Sequence, residues 1–310
     1  MNTEEQAFNQ SLIAALANGD DATIKVAEES GNKIIRRLLR ETGFQRGHIL
    51  PFEPLKESDL TPSLTSELPW KIEEMEALQP GAVTLNYNDT TDIQFYNADK
   101  FAMYFHTVST PRFTKHVLEL ITYKNDVKEI VTNNALLDLH TQEDTNFLAG
   151  VDATVGASNG VGLSGAQQNF TILGRIERTP YAQNLKHLLN AKLTNGVFLI
   201  NRTTAVDFLT WGREMMGGDL SEKALMEGLN AFEGFTFFKI PHVATLKREL
   251  VPDNVVYKFA PKNFLGRAYE LQKPTMYMKK ENKMLSFYAD EVLSLAIPNV
   301  SSVSKTTHQP

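Results

Sequence analysis

The residues of this chain that could do chemistry are few, and each group falls short of a working set. Gly160, Gly162 and Gly165 match G-x-G-x-x-G, the turn that lets backbone amides approach a dinucleotide pyrophosphate. Such a turn needs a strand before it, a helix after it and an acidic residue about twenty positions on for the ribose. Here no strong strand leads in, the next residues are strand-like and the acidic residue is missing, so the glycines read as a connector. His116 with Glu119, and His140 with Glu143, could each share a face, but a pair offers two ligands where a stable zinc site takes three or four. Both pairs read as surface hydrogen bonds. Ser164 sits in GLSGA, which lacks the second glycine of a nucleophile elbow, and neither H-E-x-x-H nor a Walker A loop occurs. The absence of cysteine removes thiolate nucleophiles, thiolate metal sites and disulfides together. No catalytic residue, cofactor or metal ligand is assigned, and the chain reads as a protein that works through surfaces rather than as an enzyme.

One charged group is set apart by its spacing. Residues 32–42 read as a helix closed by Gly43, with Ile34, Ile35, Leu38 and Leu39 on one arc and Lys33, Arg36, Arg37 and Arg40 on the opposite one. That basic stripe is open to two readings: a solvated face or partner for an acidic neighbour, or a contact for nucleic-acid phosphates. The net charge of −6 argues only weakly against nucleic acid.

The elements that must position these residues follow from composition and period. At 310 residues the chain exceeds a typical single domain, and 42% hydrophobic with 22% charged residues is the balance of a folded, soluble protein. No apolar run approaches the roughly 18 residues of a membrane span, and no basic-then-apolar start marks a secretory signal. The most strongly marked helix covers residues 125–147, where Asp126 and Glu129 have capping-box spacing. Val127, Ile130, Val131, Asn134, Leu137 and Leu139 give its buried stripe, and Lys128, Asp138, Gln142 and Glu143 its wetter side. A helix is also predicted over 3–18. Residues 44–70 hold four prolines and no clear period, an extended arm that needs a surface to lie on, which a neighbouring subunit could supply. Strands are predicted at 71–75, 82–87, 92–96 and 101–108, a long hairpin that also needs support. A glycine-rich link follows Phe147. A helix from Thr179-Pro180 should bury Tyr181, Leu185, Leu188 and Leu189. Residues 197–260 alternate strand and helix, with strands at 197–200, 235–240 and 254–260 and helices near 203–211 and 221–229. Strands at 275–279, 284–289 and 291–296 must pair with something earlier, and 301–310 read as frayed and polar.

In this order the elements resemble the major capsid proteins of tailed bacteriophages with the Hong Kong 97 fold. The wording is similar too: GFQRGHILPF resembles the end of the family's arm, ELPWKIEEME the lead into its hairpin and VSTPRFTKHVLELITY the hairpin's close. NDVKEIVTNNALLDLHTQEDTNF looks like its spine helix, GVFLINRTTAVDFLTW and VVYKFAPKNFLGRAYEL like axial-domain pieces, and FYADEVLSLAIPNVSSVSK like the closing strands. The resemblance covers nearly the whole chain, although the family has no invariant motif. It implies an α+β Hong Kong 97-like capsid fold: an N-terminal helical and extended arm over 1–70, an extended β-hairpin loop over 71–108, a peripheral domain over 109–195 and 266–310 with the spine helix at 125–147, and an axial domain over 196–265. It further implies self-assembly through hexamers and pentamers into an icosahedral virion shell around packaged double-stranded DNA, held without sequence specificity. The implied partners are a portal and decoration or scaffolding proteins, with no membrane, and the implied place of assembly is the host cell cytoplasm. Some members join a hairpin lysine to a neighbour's asparagine; Lys100, a possible hairpin-tip contact, and Asn299 are the residues placed for it, but no activating carboxylate is assigned and no crosslink is expected. Proteolytic removal of an N-terminal segment, seen in some members, is not expected either. An encapsulin-like nanocompartment shell shares the fold, and a cytoplasmic α/β enzyme is the reading from a different class.

Overall fold

The computed structural model describes residues 41–62, 68–76, 85, 90, 98–116, 127–158, 168–174, 176–211, 234–237 and 239–309. The helix read at 3–18, most of that at 32–42 with the stripe Lys33, Arg36, Arg37 and Arg40, the outer part of the hairpin, the glycine turn with Ser164, and the helix read at 221–229 lie outside these residues.

In chain order the described elements are β1 (Glu53–Pro54), β2 (Trp70–Met75), β3 (Asp99–Tyr104), β4 (His106–Ser109), β5 (Phe113–His116), α1 (Val127–Ser158), β6 (Asn169–Leu173), α2 (Arg178–Asn190), β7 (Val197–Asn201), α3 (Arg202–Ala205), β8 (Gly234–Phe237), β9 (Ile240–Thr245), β10 (Val255–Phe259), α4 (Lys262–Leu265), β11 (Arg267–Glu281), β12 (Met284–Ala296) and β13 (Val303–Gln309). They fall into two compact units. The smaller comprises Met1–Gly43, Thr107–Asp144 and Lys273–Glu291; the larger comprises Phe44–His106, Thr145–Gln272 and Val292–Pro310.

The larger unit is built on a six-stranded sheet in the order β6-β13-β10-β7-β9-β8. β7 runs parallel to β9 and β13 parallel to β6, while β10 is antiparallel to both of its neighbours. Both faces are covered, which is why β10, VVYKF, is buried at every position. One face places Leu199, Val243, Val255, Tyr257, Phe259 and Val303 against Phe147, Leu148, Val151 and Val155 of α1 and against Phe44, Ile49 and Leu50. The other places Phe198, Ile200, Phe235, Phe237, Ala244 and Val256 against Tyr181 of α2, Phe208 and Trp211. Of the residues expected to anchor α2, Tyr181 and Leu188 are buried and Leu185 is partly so, but Leu189 is exposed and Asn184 and His187 take inward positions. The cause is the polar strand they face, described below.

In the smaller unit β5 lies antiparallel to the start of β12, with Phe113 opposite Phe287 and His116 opposite Met284. Thr110 ties in the segment before β5: its amide donates to Ala289 O at 2.8 Å and its hydroxyl accepts from the Ala289 amide at 2.9 Å. Thr132 of α1 donates to Met276 Sδ. Asn282 turns β11 into β12 at φ +53°, a left-handed conformation that asparagine tolerates.

Four sequence expectations change. α1 does not stop at Phe147 but runs 32 residues, a length of about 48 Å, through Gly150 and Gly156. Ala135, Leu139, Glu143, Phe147, Val151 and Val155 form one row at four-residue spacing, all buried, so packing of the last turns offsets the low helix propensity of glycine. Glu143, expected on the wetter side, lies in that row. Residues 44–55 do not wait for a neighbour, because Arg46 pairs with Glu270 at 2.8 Å and Glu53 registers with Tyr269 of β11 in the same unit. Residues 235–240 form two strands, β8 and β9, with Lys239 at φ +61° in the turn between them. The polar tail is not frayed: β13 is an inner strand of the six-stranded sheet.

Candidate assembly surfaces

A two-stranded ribbon of β2 and β3 leaves the larger unit with its two faces chemically distinct. Its register sets Trp70, Ile72 and Glu74 opposite Tyr104, Ala102 and Lys100, and Lys71, Glu73 and Met75 opposite Met103, Phe101 and Asp99. The second set faces inward: Met103 clusters with Phe105 and Tyr269, with Phe101, Leu55 and Leu60 packed beside them. Tyr269 donates its hydroxyl to Glu73 Oε1 at 2.8 Å, Lys71 Nζ meets the same carboxylate at 2.5 Å, and that ammonium also stands 4.3 Å from the centre of the Tyr269 ring. Burial works against ionisation of Glu73, but the hydrogen bonds from Lys71 and Tyr269 prevail and hold its carboxyl below the usual range. This cluster clamps the ribbon at its base.

The first set faces away from the clamp. Trp70 and Tyr104 stack with ring centres 6.2 Å apart, and Tyr104 at 46%, Leu68 at 43% and Ile72 at 40% keep much of their surface open. An aromatic pair bordered by aliphatic residues and closed by the Lys100–Glu74 ion pair at 3.2 Å has the make-up of an interface centre with a charged rim. Sequence reasoning found the alternation of β3 but not which face would be free, because that depends on Tyr269, some 170 residues away.

Lys100 is therefore a rim residue of the ribbon, exposed and opposite Glu74. Asn299 uses both ends of its side-chain amide within its own chain, accepting from the Ser301 amide at 3.2 Å and donating to Phe264 O at 2.9 Å. In the smaller unit a second surface combines aromatic and basic groups: Tyr277 stacks on Tyr288 at 5.3 Å, Arg112 lies 5.4 Å from the centre of the Tyr288 ring, and Lys279 and Lys283 are exposed.

The most unusual chemistry lies inside the larger unit. Lys258 of β10 is fully buried, and its Nζ bonds to His187 Nδ1 and Asn184 Oδ1 of α2 and to Thr306 Oγ1 of β13. Asn184 Nδ2 is 3.2 Å from His308 Nε2, and Phe170 of β6 stacks on His187 at 3.5 Å. Burial drives the Lys258 ammonium well below its usual value. Burial, with Lys258 and His308 adding to it, pushes His187 down to about 3, and burial with Lys258 pushes His308 down to about 4. Beside this cluster, buried Tyr181 bonds through its hydroxyl to His242 Nε2 at 2.6 Å, and His242 Nδ1 reaches Ile240 O at 2.8 Å. These groups are buried and bond to one another. A groove of about 280 Å³ lies nearby, lined by His48, Val197, Phe235, Thr236, Pro241, His242 and Val243. Among the described residues no group of three or more His, Asp or Glu could hold a metal, and no helix is long and apolar enough to cross a membrane. His140 stands three residues before the buried Glu143 on α1, not as part of a surface pair.

No family model matches the chain, and no curated protein sequence matches it. Solved structures do. The chain is similar to the capsid structure of cyanophage P-SCSP1u at 11% identity, covering 90% of this chain and 91% of that one with a TM-score of 0.63. A structure from Mycobacterium phage Bobi matches at 10% identity over 92% of this chain and 97% of that one, with a TM-score of 0.61. The capsid of an empty GTA particle matches at 12% identity over 90% and 94%, with a TM-score of 0.59. At such identities the likeness is one of fold. The chain therefore has the Hong Kong 97-like fold of tailed-phage capsid structures.

Proposed function

We propose that this protein is a major capsid protein that self-assembles through hexamers and pentamers into an icosahedral virion shell around packaged double-stranded DNA. The observation that carries the reading is the extent of the fold match: about nine-tenths of this chain and of each capsid chain correspond. The ribbon supports it. A ribbon clamped on one face and apolar on the other is marginal alone in water, and a neighbouring subunit covering Trp70, Ile72 and Tyr104 supplies what it lacks. Contacts of this kind, repeated around rings, hold each subunit at several places at once, so a shell resists internal pressure although each contact is weak.

In this reading the parts divide as arm over 1–70, extended loop over 71–108, peripheral domain over 109–195 and 266–310, and axial domain over 196–265. Portal, decoration or scaffolding proteins complete the particle. DNA contacts the inner face without sequence specificity, and Lys33, Arg36, Arg37 and Arg40 serve either an interface with an acidic neighbour or that DNA. The protein does its work in the virion capsid after assembly in the host cytoplasm, and it has no catalytic role.

Negative-stain microscopy of the expressed chain tests this. Icosahedral particles, capsomer rings or tubes are expected. Ile72→Asp with Tyr104→Asp should leave a folded chain that no longer assembles. Dispersed monomers from the unaltered chain across a range of concentrations and salts would overturn the proposal.

A further inference from the structure

The polar residues of β13 are buried against partners that are themselves titratable. Ser304, Thr306 and His308 lie on the α2 side of the sheet, where Lys258 and His187 meet Thr306, Asn184 meets His308 and Ser304 donates to Gln168 O. Lys258 donates to Asn184 Oδ1 and Thr306 Oγ1 and shares a hydrogen with Nδ1 of His187, and Asn184 donates to Nε2 of His308, which fixes that nitrogen as an acceptor. The Asn184–His308 bond lasts only while that imidazole is neutral. A proton added to His187 would place a charge beside buried Lys258, and one added to His308 Nε2 would face the amide hydrogens of Asn184.

Nothing nearby would compensate those charges. The groups facing the cluster are Lys258 from β10, His187, Asn184 and the Tyr181 ring from α2, Thr306 and His308 from β13 and the Phe170 ring from β6. Among the described residues no carboxylate bonds to Lys258, His187 or His308. On the opposite face β13 is held by Val303 in the apolar core and by Lys305, which pairs with Asp152 at 2.8 Å and lies over the Tyr257 ring.

We propose that β13, together with β6 beyond it, is an acid-released latch on the larger unit's sheet. β6 pairs in parallel with β13, and β13 is joined to the rest of the sheet through its register with β10 from Val255 opposite Thr307 to Phe259 opposite Val303. Protonation of His187 and His308 breaks the side-chain bridge across that ladder. The two strands leave together, while β10, β7, β9 and β8 keep their own pairings. While the latch is closed, burial keeps the imidazoles neutral; once it opens they regain their ordinary basicity, so protons favour the open form increasingly as the pH falls under about 6.5. The inference concerns the folded chain itself and holds whether or not the chain builds a shell.

Hydrogen exchange followed by mass spectrometry on the full chain tests it, stepping from pH 7.5 to 4.5 and correcting for intrinsic exchange. Peptides covering 169–173 and 303–309 should lose protection at least tenfold before those covering 197–201 and 240–245. His187→Asn keeps an oxygen acceptor near Nδ1 but cannot take the proton, and it should move that loss to lower pH by half a unit or more. Lys258→Met, which removes the amine facing the imidazole, should shift it in the same direction and serves if the first variant does not fold. Simultaneous loss of protection in all six strands of the unaltered chain, or an unchanged midpoint in a folded variant, would overturn the proposal.

Discussion

Removing one oxygen from Tyr181 tests whether the interior of the larger unit depends on satisfied polar groups or on packing alone. Tyr181 and His242 are both almost completely buried, and the hydroxyl lies 2.6 Å from Nε2. The other ring nitrogen donates to Ile240 O, so Nε2 is the acceptor and the Tyr181 hydroxyl the donor. Tyr181→Phe keeps the ring and its edge contacts with Phe208 at 5.0 Å and Trp211 at 5.9 Å, but strands Nε2 without a donor. Leaving a buried acceptor unpaired costs about 1–3 kcal/mol. Trp211, buried beside Tyr181, supplies the readout: urea unfolding at pH 7.5 followed by its fluorescence, in a Trp70→Phe background. His242→Phe removes the orphan, so the double variant should be less destabilised than the sum of the singles, by about 1 kcal/mol or more. The same pair sets a pH dependence. Burial holds His242 down to about 4 against its ordinary 6.5, so the unfolded chain binds a proton that the folded chain refuses between those values. The stabilising share of neutral His242 is complete above pH 6.5 and is lost as the pH falls toward 4, a total of about 3 kcal/mol. Additive single variants, or a Tyr181→Phe cost under about 0.3 kcal/mol, would refute the reasoning, since either means the nitrogen finds water or another donor.

Other consequences follow from packing and the clamp. Phe147→Ala empties a fully buried site whose ring centre is 5.4 Å from that of Phe259, and should cost about 3–5 kcal/mol by the same fluorescence assay. At Gly266 an added Cβ would lie 2.2 Å from Ala296 O, so Gly266→Ala should destabilise by about 3 kcal/mol and reduce soluble yield. Tyr269→Phe removes one of the two donors to Glu73; a cost of about 1 kcal/mol is expected, with faster proteolytic cleavage within 70–104 and little change in the Trp211 transition. A chain ending at Ser302 loses β13 and exposes Lys258, His187 and the core around Tyr257; its Trp211 transition should persist but move to lower urea.

The sequence was most informative where burial is reported by local spacing. The strands at 197–200 and 254–260 stand out as short apolar runs, and they are β7 and β10 at the centre of the sheet. That a helix occupies this stretch follows from its spacing, but its end does not. Gly150 and Gly156 look like breakers until Val151 and Val155 are seen to continue a buried row that the sheet completes. The free face of the ribbon was hidden for a related reason: alternation in residues 101–105 announces two faces, and only Tyr269 with Glu73 decides which is docked.

The chain's own residues therefore determined the order of elements, the apolar strands, the absence of a recognisable catalytic set and, through that order, the resemblance to a capsid fold. Tertiary structure alone decided the fate of the polar segments. VSKTTHQ has the composition of a loose end, and Lys258 looks like a misplaced charge in VVYKF; each is tolerated because the other is there. Periodicity measures contact between a residue and a generic apolar interior, so it cannot register a polar strand whose interior is polar too. That pairing joins residues 48 positions apart in the chain, and it exists only once β10 and β13 lie side by side.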